Sequence, residues 1–97
     1  MILSFADRGT EDIFDGLNSK QARKVLPVAL LNVARKKLDA INKSWELKNL
    51  KSPPGNNLEA LKGDLKGYHS IRINNQFRIV FKWEDGNASE VKITDYH

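Results

Sequence analysis

Ninety-seven residues, 40% hydrophobic and 29% charged, suit one small globular domain with a modest core and not a disordered chain. The absence of cysteine excludes disulfides and thiol catalysis, and residues 25–34, the longest nearly charge-free run, fall far short of the roughly 20 apolar residues of a membrane span. The net charge of +4 is unevenly placed, with nine bases against two acids in residues 17–51, the footprint of a polyanion partner or else of a solvated helix face.

Ile2-Leu3-Ser4-Phe5 reads as a strand that runs into Asp7, so no secretory leader is expected. Asp7 or Thr10 is expected to cap a short helix reaching about Asp15, with Gly16 as its stop. Residues 20–25 fit either a helical turn or a loop. Pro27 is expected to open the main helix, because proline is welcome at a first helical position, and the helix runs to about Asn42. Leu30, Val33, Ala34, Leu38 and Ile41 have the spacing of one buried face, and Arg35, Lys36, Lys37 and Lys43 occupy the rest, where they are expected to contact RNA phosphates. Ser44 is expected to cap a further short helix, Trp45 to Leu50. The stretch Ser52-Pro53-Pro54-Gly55-Asn56-Asn57 is a turn or loop.

From Leu58 onward the apolar period changes to two. Tyr68–Ile73, Phe77–Trp83 and Ala88–Thr94 predict three strands of a meander. Three-residue loops at Asn74-Asn75-Gln76 and Asp85-Gly86-Asn87 keep the apolar side chains on one face, pairing Ile71 with Ile79, Ile79 with Ile93 and Phe81 with Val91. The core face is then Ile71, Ile73, Phe77, Ile79, Phe81, Trp83, Val91 and Ile93, covered by the helices.

On the opposite face the same register sets Arg72 directly across from Arg78, with Thr94 opposite Arg78 and Tyr96 diagonally beyond. Like charges in that position destabilise a sheet unless an anion such as phosphate bridges them. The plainer alternative is two solvated arginines on an open face. As an exposed-face residue, Arg78 is expected to be replaceable by alanine with loss of activity and no loss of core packing. Asp95-Tyr96-His97 adds groups able to carry protons, Tyr96 on the arginine face and His97 on the opposite parity. Lys62 and Lys66, in a glycine-bounded turn, can reach phosphates. His69 and His97 lack metal-ligand spacing, and no phosphate-loop or dinucleotide fingerprint occurs, so neither metal nor cofactor is expected.

The stretches Pro53-Pro54-Gly55-Asn56-Asn57-Leu58-Glu59-Ala60-Leu61-Lys62-Gly63-Asp64, Tyr68 through Ile79 and Asp95-Tyr96-His97 resemble, in that order and across the whole chain, the HigB-type toxins. These are also called plasmid-maintenance killer proteins, within the RelE/ParE toxin superfamily. The resemblance implies an α+β, RelE-like fold: an N-terminal strand and two to three helices on one face of a twisted, mainly antiparallel sheet of four to five strands. It implies a cytoplasmic, metal-independent endoribonuclease that cuts mRNA in the ribosomal A site. A HigA-type helix-turn-helix antitoxin would restrain it and supply its only route to operator DNA. By resemblance Arg78 steadies the transition-state phosphate, Asp95, Tyr96 and His97 match terminal catalytic elements, and Lys62 contacts phosphate. This chain has Glu59, a candidate catalytic base, where some members have a histidine, and Asn74 where some have a second arginine, with Arg72 displaced from it. Two other readings compete: a ParE-like, non-enzymatic gyrase inhibitor, and a plain nucleic-acid-binding module. The terminal triplet and the opposed arginines favour the nuclease, since a gyrase binder needs no acid–base pair.

Overall fold

The alternating C-terminal half forms an antiparallel sheet in the computed structural model, which describes residues 1–96. Its strands are β1 (Glu59–Ala60), β2 (Tyr68–Arg72), β3 (Phe77–Glu84) and β4 (Asn87–Asp95), ordered as in the sequence. Ile71 pairs with Ile79 and Ile79 with Ile93, as the apolar parity requires. Ile71, Ile79, Phe81 and Val91 are fully buried, Ile73, Phe77 and Ile93 nearly so, and Trp83 closes the row half-buried.

The β3–β4 connection differs from expectation. Glu84 pairs with Asn87, so the turn is the two residues Asp85-Gly86, with φ of 53° and 78° as a type I′ hairpin needs. Two residues would reverse the parity, but the register shifts again between Val80 and Lys82. There Glu90, at φ 52°, stands as the extra residue of a β-bulge.

The N-terminal segment lies parallel to β4 through two isolated bridges, Ile2 to Ala88 and Phe5 to Val91, and not as a continuous ladder. The bulge separates them, and the Glu90 amide is satisfied by the Ser4 hydroxyl at 2.9 Å. Past Phe5 the buried Thr10 hydroxyl accepts the Ile93 amide at 3.1 Å, so this edge of the sheet is covered along most of its length.

Three helices cover the apolar face. Asp7 caps α1 (Arg8–Phe14), accepting the Thr10 amide at 2.6 Å, and Ser19 caps α2 (Lys20–Val25), which settles residues 20–25 as helix. The two cross at Gly9, where a Cβ would stand 2.3 Å from Val25 and 2.6 Å from the Gln21 carbonyl oxygen. Asp12 ties them, accepting the Ser19 hydroxyl at 2.6 Å and Arg8 at 3.1 Å.

The main helix, α3, spans Leu31–Lys43 after a 3-10 turn at Val28–Leu30, so Pro27 precedes the helical region by one short turn instead of opening the α-helix. Its buried stripe is Ala34, Leu38 and Ile41. Val33 is 40% exposed, because the stripe is narrower than its spacing suggested. Ser44 closes α3 and does not cap the next element: its hydroxyl donates to the Ala40 carbonyl at 2.7 Å. That next element is a 3-10 turn, Leu47–Lys51, capped by a reciprocal Glu46–Asn49 box. Among the described residues no helix is long and apolar enough to cross a membrane.

His69 stacks on Phe81 at 6.3 Å between ring centroids, and burial holds its pKa below the ordinary 6.5. Because the folded pKa is the lower one, the unfolded chain takes up this proton first as pH falls through 6.5. Stability contributed by neutral His69 is therefore present above that value and lost below it. The melting temperature is expected to fall between about pH 7.5 and about pH 5.5, and to fall less in His69→Phe. Identical pH profiles for the two proteins would place the acid sensitivity elsewhere.

Candidate active site

The sheet face away from the helices carries the even-numbered residues of β2 and β3, and Arg72 and Arg78 are direct cross-strand partners there. Arg78 is not a solvated arginine on a bare face: it is only 8% exposed. Its Nε donates to the Ser70 hydroxyl at 2.8 Å and its Nη2 to the Asn57 carbonyl at 2.6 Å. Pairing of Glu59 with Ser70 lays β1 along β2, and the chain leading into it brings the Asn57 carbonyl over the guanidinium. Truncating Arg78 would thus strip a partner from the fully buried Ser70, which corrects the expectation of an intact packing.

Two groups able to move protons flank the same guanidinium. A carboxylate oxygen of Glu59 stands 3.8 Å from Nη1, and the Tyr96 ring lies 5.9 Å from Cζ. Tyr96 is held through its backbone, whose N–H donates to the Gln76 carbonyl at 2.7 Å, while the side chain stays 46% exposed. Arg72 is oriented from its own turn, with Nε donating to the Asn74 carbonyl at 3.1 Å and Nη2 to the Asn75 side chain. The Asn74 side chain shapes that turn by accepting the Gln76 and Phe77 amides at 2.9 and 2.8 Å.

Asn57, Arg72, Asn74, Asn75, Arg78 and Tyr96 line an open cavity of about 300 Å³. At Tyr96 it adjoins a more apolar hollow bounded by Leu65, Tyr68, Val80 and Thr94. Lys37 approaches from α3. Burial first, and the charge of Arg72 second, hold its ammonium below the ordinary lysine range. The hydrogen-bond acceptors that orient Arg72 are a neutral carbonyl and a neutral amide, so its charge is left for an incoming anion.

Among the residues singled out from sequence, Arg72, Arg78, Glu59 and Tyr96 come together here, while Lys37 is linked to them through its bond to Asn56. Lys62 and Lys66 flank an exposed 3-10 turn at Gly63–Leu65 and do not line the cavity. Arg35 donates to Asn32 at 2.6 Å in a separate cleft beside Gly16 and Leu17, and Lys36 borders a groove with Val33 and Pro53. Asp95 pairs across the sheet with Phe77, on the other parity, and accepts from the Gln76 side chain at 3.0 Å. His97 lies outside the described residues. Ser70 and Asn57 went unnoticed in the sequence. Ser70 shares the parity of both arginines, a signal that was available, whereas the role of Asn57 rests on a backbone carbonyl and leaves no trace in residue type.

Comparison with known proteins agrees with this architecture. The YoeB–YefM complex from Staphylococcus aureus superposes with a TM-score of 0.61 at 18% identity, covering 100% of this chain and 98% of that one. YafQ from E. coli strain BL21(DE3) gives 0.57 at 12% identity, covering 99% and 94%. In sequence the chain is 35% identical to Toxin HigB-1 of Vibrio cholerae serotype O1 over 88 residues, 91% of this chain and 90% of that protein. It is 31% identical to Endoribonuclease HigB of Proteus vulgaris over 97 residues, the whole of both. The fold is thus that of the RelE-like toxins, and in this chain one face of the sheet is covered by helices while the other is left open around the buried Arg78. Residues 3–97 match the profile of the RelE-like toxin of type II toxin–antitoxin system HigB, and the chain belongs to that HigB-like family.

Proposed function

We propose that the protein is an mRNA endoribonuclease that acts in the ribosomal A site in the cytoplasm, with a HigA-type helix-turn-helix antitoxin as its restraint. The observation that carries this reading is the buried Arg78, fixed from behind by Ser70 and Asn57 and flanked by a carboxylate and a phenol in an open, cationic cavity. A cation preorganised by neutral groups is suited to charge that develops in a transition state.

In this mechanism the scissile phosphate sits between Arg72 and Arg78. The 2′-oxygen of the preceding ribose attacks phosphorus as its proton passes to Glu59, a carboxylate that can only accept when ionised. The bond from phosphorus to the 5′-oxygen breaks, and the Tyr96 hydroxyl supplies that oxygen with a proton. The products are a 2′,3′-cyclic phosphate and a 5′-hydroxyl, with no water consumed.

A ParE-like gyrase inhibitor gains nothing from a proton donor and acceptor beside a buried arginine. Purified protein added to a translation extract, and separately to gyrase with relaxed plasmid, tests the choice. Cut mRNA with unaffected supercoiling is the expected result, and the reverse would replace the nuclease with the gyrase inhibitor.

A further inference from the structure

The segment that supplies the Asn57 carbonyl to Arg78, residues 52–57, contains four polar or glycine residues and two exposed prolines, and no buried apolar side chain to anchor it. It is fixed instead by a buried amide. Asn56 is 2% exposed, and its side chain makes three hydrogen bonds. Its Oδ1 accepts from Lys37 Nζ at 2.5 Å, and its Nδ2 donates to the Leu50 and Ser52 carbonyls, each at 3.2 Å. The next residue, Asn57, stands in the left-handed region at φ 46° and ψ 56°, and its carbonyl takes Arg78 Nη2 at 2.6 Å. A continuous chain of contacts therefore runs from the main helix through Lys37 and Asn56 to the backbone beside Asn57 and on to the guanidinium.

We propose that Asn56, locked by Lys37, is a positioning residue for Arg78: it fixes the carbonyl that aims the guanidinium into the cavity. The proposal rests on the reading of Arg78 as the cation that meets the scissile phosphate. The chemistry calls for an amide. Alanine supplies neither donor nor acceptor. Aspartate keeps an acceptor for Lys37 but loses both donations that hold the 50–52 backbone, and it brings a buried negative charge toward the phosphate site. Lysine's long stem lets α3 reach the loop, so the helix that packs on the far face of the sheet also sets the geometry of the open one.

The test is single-turnover cleavage on programmed ribosomes of the parent, Asn56→Ala, Arg78→Ala and the double variant, at a temperature where melts show all four folded. Asn56→Ala is expected to cut about 10- to 100-fold more slowly at saturating ribosomes, the penalty of a misplaced catalytic group, with half-saturation unchanged. In the Arg78→Ala background the same change is expected to alter the rate less than twofold, because its effect passes through the guanidinium. Lys37→Met provides the same comparison should Asn56→Ala fail to fold, and Lys37→Arg, which keeps a donor, is expected to recover part of the rate. An equal slowing in both backgrounds would show that Asn56 merely stabilises the fold. A parental rate for both Asn56→Ala and Lys37→Met would overturn the role outright. Arg78→Ala cutting at the parental rate would instead remove the reading of Arg78 on which the proposal rests.

Discussion

Arg78→Ala is expected to lower single-turnover mRNA cleavage by about 10²- to 10³-fold, the usual loss when one preorganised charge donor is taken from a developing oxyanion. Growth inhibition on expression without antitoxin is expected to disappear with it. The substitution also reaches the fold. It leaves the fully buried Ser70 hydroxyl and the Asn57 carbonyl without their partner, and unsatisfied groups of this kind cost about 1–3 kcal/mol each unless water replaces the contact. The variant is therefore expected to melt earlier than the parent, and rates must be compared where both are folded. Arg78→Lys keeps the charge but cannot span Ser70 and Asn57 with one planar fork, so it is expected to regain little of the rate. A folded Arg78→Ala protein that cuts at the parental rate would remove the arginine from the chemistry.

Tyr96→Phe is expected to separate activity from stability more cleanly. The Tyr96 side chain is half-exposed, and the contact that holds the residue in place is made by its backbone N–H. Removal of the hydroxyl is expected to change stability by less than about 1 kcal/mol, as for surface substitutions generally. Loss of a general acid is expected to slow cleavage by about 10²- to 10⁴-fold. The aromatic ring remains beside Arg78 in this variant, so Tyr96→Ala, which loses the cation–π contact as well, should be the slower of the two. If Tyr96→Phe cuts as the parent does, the proton for the leaving oxygen comes from another group.

Much of this site was legible in the sequence, because strand parity is a strong constraint. The requirement that Ile71, Ile79 and Ile93 share a face also brings Arg72, Arg78 and Thr94 together on the other, and the structure has that register. The parity survived for a reason the sequence did not show. The Asp85-Gly86 turn is one residue shorter than expected, and the bulge at Glu90 restores the phase. A bulge at a charged residue with no adjacent glycine leaves no mark in composition, so only the sum of the two departures was visible.

The burial of Arg78 was hidden for a different reason. It arises from a loop backbone laid over the sheet by a strand of two residues, and main-chain carbonyls have no sequence signature. Charge density groups Arg35, Lys36 and Lys37, but successive helical positions point about 100° apart, and of the three it is Lys37 that bonds to Asn56 in the loop beside Arg78. Ser44 misled because serine suits either end of a helix: here its hydroxyl returns to the Ala40 carbonyl and closes α3.

The central claim is that this cleft directs a ribose 2′-hydroxyl at its own 3′-phosphate. Its most direct test is a programmed ribosome carrying an mRNA with one 2′-deoxy nucleotide on the 5′ side of the cut, compared with the all-ribose message. The deoxy message is expected to stay intact at that bond while still occupying the ribosome, and the ribose message to yield a 2′,3′-cyclic phosphate and a 5′-hydroxyl. Equal cutting of both messages at the same bond would contradict the claim, since the nucleophile would then come from outside the RNA.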